Sequence, residues 1–291
     1  MKLTLPKLKL PTLRKTKVSL SVQITDRVLR MLDLNEEKKP IFDLEVRWEG
    51  KTESEKLSIL KTYVERYNLK DRDVISCLPV NDGLLKFYKY PATMSQKDLQ
   101  HAIDWAVKRE LSMIKESTLH DYFVLEREKD AKNVVMLLVL AREEAVNNLK
   151  RLIESAGMRL KMLDYEVITI INYGLYHKIA LPFSVLYIDY GYALLVNYSP
   201  LNVAYFVTPW DYTEYLKTRD EPSLENFFAE IRNILIINDL TNIYIAGPIL
   251  SEEELLTRVL ENLPILGLLD IENLKPNFFI PYTLSLRGME G

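Results

Sequence analysis

Glycine is scarce in this chain: nine residues in 291, with no Gly-Gly and no Gly-x-Gly anywhere. Turns that bring backbone N–H groups close around a phosphate need bare backbone, so the usual glycine-rich phosphate loops are excluded. Cysteine is scarcer still. The single Cys77 excludes a disulfide framework and any cysteine-based zinc site, and it fits a reducing cytosol. His101, His120 and His177 have no ligand-like spacing, so no metal site is indicated. The longest apolar run, Val134 to Ala141, is far short of a membrane span, and no apolar core follows the N-terminal charges as a secretory leader requires.

What remains describes an ordinary folded protein, 48% hydrophobic and 27% charged, long enough for two domains with a core each. Its charge is uneven. Residues 1–17 carry Lys2, Lys7, Lys9, Arg14, Lys15 and Lys17 with no acid, against a chain total of −3, which leaves −9 for the rest. An acidic body is a poor binder of nucleic acid. The basic tail, with interleaved leucines and Pro6 and Pro11, reads as a solvated arm or as a weak, reversible contact with an anionic membrane surface.

The most apolar stretch is FSVLYIDYGYALLVNY, residues 183–198, which reads as two strands around a tight turn at Asp189-Tyr190-Gly191. Strands this apolar belong in a sheet buried on two faces, and Gly191 supplies the permissive φ of a short hairpin turn. Two readings stay open: a core hairpin and nothing more, or a strand-end carboxylate followed by glycine, facing a phosphate-binding cleft.

Around it the elements repeat. Strand-like segments at 18–24, 27–34 and 40–48 precede a helix opened by a Thr52/Glu55 capping box, then a strand at 73–80. Strands at 183–189, 192–198 and 202–207 precede a helix read as capped by Ser223, a strand at 241–246 and a helix boxed by Ser251 and Glu254, matched to the segment 167–178. The same order twice predicts duplicated lobes with a cleft between them. A helix–strand–strand–helix–strand unit that begins after a strand at 84–91, about 85–165 in all, is inserted in the first copy, its first helix capped by Ser95 and its second, from Glu143, stopped at Gly157. Asp164 and Glu166, at the return from it, read as lining the cleft or as caps of the following helix, with capping the preferred reading.

Five segments taken in order carry a resemblance: YPATMSQKDLQHAIDWAVKREL (90–111), VLAREEAVNNLKRLIESAGMRLKMLDYE (139–166), VLYIDYGYALLVNY (185–198), IYIAGP (243–248) and FIPYTLSLRG (279–288). Together they resemble PilM, the actin-like cytoplasmic protein of the type IV pilus inner-membrane assembly, related to the cell-division protein FtsA and to the cytoplasmic part of the type II secretion L protein. The resemblance implies an α/β fold of duplicated actin-like, ribonuclease H-like lobes: a basic tail 1–17, a first lobe of 18–84 plus 166–180, an inserted α+β subdomain 85–165, and a second lobe 181–291. The family's fourth subdomain is missing or reduced, because only Pro209 to Pro222 stands where it belongs.

The resemblance also implies ATP and magnesium in the cleft, but this chain departs from the pattern. The first phosphate loop reads Ser21-Val22-Gln23-Ile24-Thr25-Asp26, without the family's acid and glycine. The second keeps Asp189 and Gly191 between tyrosines, and the adenosine loop is Ala246-Gly247-Pro248, where proline removes a donor. Ser21, Gln23, Asp189, Gly191 and Gly247 are therefore the nucleotide-binding candidates, Asp189 meeting the metal through water, with no cofactor required. The expected role is a non-catalytic scaffold, peripheral to the inner membrane, docking the N-terminal cytoplasmic peptide of a PilN-like membrane partner between the first lobe and the inserted subdomain. Trp105, Arg109 and Tyr122 are the peptide-binding candidates. The alternatives are an actin-like ATPase with divergent loops and a secretion L-type adaptor, which would continue into a membrane helix.

Overall fold

The computed structural model describes residues 17–125, 132–271 and 273–290; the basic tail up to residue 16 lies outside the described residues. Strands β1 (Leu20–Ile24), β2 (Val28–Leu34) and β3 (Pro40–Arg47) form an antiparallel meander. The Thr25 hydroxyl closes its first turn, accepting from the N–H groups of Arg27 and Val28. Helix α1 (Glu53–Arg66) opens with both halves of the expected capping box and buries Leu60 and Val64. It leads to β4 (Asp73–Leu78), which pairs parallel with β1.

Next come β5 (Gly83–Pro91), α2 (Gln96–Met113), β6 (Thr118–Val124) and β7 (Asn133–Arg142). These strands make a separate antiparallel sheet, β5-β7-β6, covered by Ile103, Ala106 and Val107 of α2 packed on Met136, Leu138 and Leu140. Ser95 caps α2 as expected. Helix α3 (Glu143–Ser155) and β8 (Arg159–Tyr165) follow. The expected inserted unit, 85–165, runs too far. β8 pairs parallel with β4 and completes a first sheet of order β3-β2-β1-β4-β8, with α3 packed against β8 and β4. Alternation along a strand says which face is buried, not which sheet edge the strand joins.

After α4 (Glu166–Tyr176) the plan repeats: β9 (Phe183–Asp189), β10 (Tyr192–Ser199), β11 (Asn202–Pro209), α5 (Tyr212–Thr218), α6 (Glu221–Ile237), β12 (Ile243–Ala246), α7 (Glu253–Asn262), β13 (Ile265–Leu268) and α8 (Phe279–Glu290). The second sheet runs β11-β10-β9-β12-β13, the first sheet's pattern again. β9 is buried along its whole length, so the hairpin expected at 183–198 is central to the core.

Several local expectations change. The stretch Pro209–Pro222 is not a bare joint: Asp211 caps α5, whose aromatic neighbours Trp210, Tyr212 and Tyr215 pack under α6, Trp210 stacking on Phe227 at 4.0 Å. Asp220, not Ser223, caps α6 and accepts the Ser223 N–H. Ser251 caps nothing, because residues 248–251 coil as a tight 3-10 turn before α7. The helix that answers α4 is α8 rather than α7, since each follows the last strand of its sheet. These two pack on each other, α8 on β1, β2 and β4 and α4 on β4, β8 and β10, and so join the halves.

Candidate functional site

Two hairpin turns face each other where the sheets meet, Thr25–Arg27 from the first and Tyr190–Gly191 from the second. Trp48 fixes the first by donating its Nε1–H to the Thr25 carbonyl at 2.8 Å. In the second, Asp189 pairs directly with Tyr192. Gly191 does not take the left-handed φ expected of it. It provides space: a Cβ there would lie 2.6 Å from Nε of Arg27. Arg27 donates to the Tyr190 carbonyl at 3.2 Å and pairs with Asp211 and Glu49. Arg27 and Asp211 come from different halves of the molecule.

Deeper lies a buried ion pair. Arg30 on β2 meets Asp189 at the end of β9 in a two-pronged contact, Nη2 to Oδ1 at 2.7 Å and Nη1 to Oδ2 at 2.8 Å. Oδ1 also accepts the Tyr190 N–H at 2.8 Å and Oδ2 the Tyr187 hydroxyl at 2.8 Å. A carboxylate offers about four lone-pair positions, and all are used. Burial works to raise the Asp189 pKa, but the Arg30 charge and these hydrogen bonds outweigh it and hold the group below the ordinary carboxylate range. Arg30, with no exposed surface, also donates from Nε to Glu45 at 2.6 Å and from Nη1 to Oε1 of Gln23 at 3.1 Å.

The other nucleotide-binding candidates are likewise engaged inside the protein. Ser21 is buried, donating to the Pro281 carbonyl at 2.7 Å and accepting from Ser285 at 2.9 Å. Gln23 is buried with its Nε2 left unpaired among the described residues, and it does not line the cavity. Gly247 has φ +98°, and a Cβ there would lie 2.7 Å from the Ile188 carbonyl, so its bare backbone serves packing against β9. Asp164 and Glu166 do not cap α4. Asp164 pairs with Arg287 at 3.1 Å, and Glu166 accepts the Val80 N–H at 2.9 Å and the Tyr192 hydroxyl. Burial pushes Glu166 up to about 7 against the pull of those two donors, with the Asp189 charge adding to the rise.

Beside this floor opens a cavity of about 870 Å³. Its walls are α1, through Glu53, Lys56 and Leu57, and α3, through Ala145, Asn148 and Leu152; its base is Leu78-Pro79-Val80, and it ends at the turn Tyr190–Tyr192. That volume suits a small ligand or a few residues of extended peptide. The three peptide-binding candidates lie elsewhere. Trp105, 62% exposed, and Arg109 stack on the outer side of α2, 5.0 Å from guanidinium carbon to ring centroid. Tyr122 sits on the edge strand β6, bonded to Gln100. None of the three lines the cavity.

No family model and no curated protein matches this chain. Solved structures do. One is the structure described as a PilM-PilN type IV pilus biogenesis complex, with 16% identity, a TM-score of 0.75, and coverage of 95% of this chain and 100% of that one. Another is a protein of Bacteroides thetaiotaomicron with an actin-like ATPase fold and unknown function, at 10% identity and a TM-score of 0.50 over 94% of this chain and 99% of that one. The fold is actin-like. The cytoplasmic domain of EpsL, an inner membrane component of the type II secretion system of Vibrio cholerae, shares it at 12% identity and a TM-score of 0.53 over 94% of each chain. Identities this low carry the architecture, the duplicated α/β lobes, and leave activity to the residues.

An actin-like fold implies a nucleotide with its metal at the junction of the two hairpins, and the residues present do not fit that group. The carboxylate that would hold the hydrated metal is saturated by Arg30, Tyr187 and a backbone N–H. Gly191 is covered by Arg27, and Gly247 is packed against the Ile188 carbonyl and the Tyr187 ring of β9. Among the described residues no group of His, Cys, Asp and Glu is arranged to hold a metal ion. The sequence reading missed Arg30, Arg27 and Glu45. A signal for Arg30 was there: a cation in a fully buried strand needs an anion, and Asp33 of the same strand, at odd spacing from it, lies on the other face.

Proposed function

We propose that this chain is a non-catalytic cytoplasmic platform protein, peripheral to the inner membrane, in an assembly of the type IV pilus kind. It docks the extended N-terminal segment of a PilN-like membrane partner in the cavity between α1 and α3. The observation that carries this reading is the contrast inside the cleft, where an open groove adjoins a floor whose polar groups are already paired to one another. Leu57, Leu152 and Val80 offer an apolar base for alternate side chains, and Asn81, Asn148 and Ser155 offer polar groups to an extended backbone. The similarity in fold to the PilM-PilN structure supports the choice of partner. Among the described residues no helix is long and apolar enough to cross a membrane; in this reading the PilN-like partner carries the membrane anchor. The six cations of residues 1–17 supply a weak second contact with anionic lipid.

Calorimetric titration with the partner's N-terminal peptide tests the reading. Asn148→Trp fills the groove without touching the buried face of α3 and is expected to weaken binding by roughly tenfold or more, about 1.4 kcal/mol or greater. Trp105→Ala distinguishes the outer face of α2, and a loss there with none at Asn148 would move the docking site to that face. No heat from an authentic peptide sinks the proposal. A secretion L-type adaptor is the second reading, favoured by the coverage of the EpsL domain along its length, and binding of that system's partner peptide instead would select it.

A further inference from the structure

We infer that the Arg30 guanidinium is a built-in replacement for a bound cation at the junction of the lobes: it neutralises Asp189 permanently, fixes the two sheets in one arrangement and leaves no site for a metal–nucleotide complex. This does not rest on the docking proposal, which uses the α1 and α3 walls and the Leu78-Pro79-Val80 base of the groove rather than the Arg30–Asp189 pair.

The geometry has three parts. The first is the saturation of Asp189 by four donors, two of them from Arg30. A magnesium ion approaching even through its water would have to displace one of those donors, and each lies within a buried, hydrogen-bonded cluster. The second is the span of the contact. Arg30 belongs to β2 of the first sheet and Asp189 to β9 of the second, so the pair ties the two sheets to each other. The third is a supporting shell drawn from both halves. Glu45 of β3 accepts Arg30 Nε, the Tyr190 hydroxyl at 2.7 Å and the Asn277 amide at 2.9 and 3.0 Å, and Asn277 also donates to Tyr190 at 2.9 Å. Arg30 and Arg47 lie over the Tyr190 ring at 5.0 and 3.8 Å. A planar, two-pronged cation held on one side by a carboxylate and on the other by a second carboxylate is what the fork of arginine suits and a lysine ammonium does not.

An alanine at position 30 leaves a hole the size of a guanidinium, lined by Asp189, Glu45, Gln23 and Tyr187. A free guanidinium ion has the shape and charge to refill it. The test is thermal unfolding of the full chain, wild type and Arg30→Ala, with low-millimolar guanidinium chloride (far below denaturing concentrations), sodium chloride at the same ionic strength, magnesium chloride and Mg-ATP. Arg30→Ala is expected to lower Tm by roughly 10 °C. Guanidinium should restore a large part of that loss and sodium none, while Mg-ATP moves the wild type by less than about 1 °C. Recovery with guanidinium no better than with sodium overturns the inference, and so does a rise of several degrees in wild-type Tm with Mg-ATP. Should Arg30→Ala fail to fold, Arg30→Lys replaces it. A Tm for Arg30→Lys equal to wild type contradicts the two-pronged contact, and a clear drop supports it. The Mg-ATP measurement on the wild type needs no variant at all. A failed peptide titration would leave these results unchanged, so the two proposals fall separately.

Discussion

Asp189 and Glu166 are both buried carboxylates, and the protein treats them in opposite ways. Asp189 is given an arginine and its pKa is held down, whereas Glu166 receives only neutral donors and burial pushes it up to about 7. The difference follows their partners. Asp189 lines the inner end of the groove, where charges from both halves are paired. Glu166 sits beside Val80 and Tyr192, both of which line the open groove. One carboxylate has been committed to holding the lobes together, and the other has been left to titrate near neutral pH. A cleft can therefore keep its shape while its polar chemistry turns inward.

Mutation of the committed pair gives the largest effect. Arg30→Met or Asp189→Leu alone strands a buried charge and should cost about 3–5 kcal/mol, but the double variant, which removes both charges, should cost far less than the sum. Urea unfolding of the four members of the cycle measures the coupling, and additive losses would mean the pair does not act as one unit. Glycine substitutions come next. Gly247→Ala puts a side chain on a left-handed backbone and against the Ile188 carbonyl, for a loss of about 2–4 kcal/mol. Gly191→Ala meets only the end of Arg27, which can move, so about 1 kcal/mol is expected. The reverse order would show that the second turn, not the third, is where backbone freedom matters.

Glu166 sharpens the contrast through pH. Its folded pKa is raised above the unfolded one, so its favourable contribution is full below about 4.5 and is lost as pH rises through about 7. Glu166→Gln should remove that part of the pH dependence, leaving the variant more stable than wild type near pH 8 by about 1–3 kcal/mol. Parallel stability–pH curves for the two proteins would contradict the assignment. The smallest effect is local and lies away from the cleft: Thr52→Ala removes half a capping box and should cost about 1 kcal/mol, without altering either peptide binding or the response to guanidinium.

Periodicity and caps made much of the architecture legible. The order of elements along both lobes, the capping box at Thr52 and the buried hairpin at 183–198 are written in local patterns of side chains, and the fold follows them. Helix α8 escaped because it is buried on nearly every side and carries Pro281 near its start, so it has no polar face to set a 3.6-residue rhythm. Helix α5 is a single short segment of seven residues, too brief for a period to register. The site was less legible than the fold. Missing glycines told which phosphate contacts were gone, but not what had taken their place. Arg30 and Asp189 are separated by 159 residues, and such a pairing depends on how two sheets are set against each other rather than on any spacing within either. Trp105 and Arg109 drew notice as an aromatic and a cation on one helix, and what they do in the structure is stack on each other.

The most direct measurement is the affinity of the partner's N-terminal peptide for this protein, determined by calorimetry with and without millimolar Mg-ATP. With the lobes already fixed by Arg30, the two dissociation constants should agree within about twofold, because a ligand that binds no state of the protein cannot shift an equilibrium between states. A difference of roughly tenfold or more would mean that nucleotide enters the cleft and is coupled to docking, and the arginine at its floor would not be the fixed cation described here.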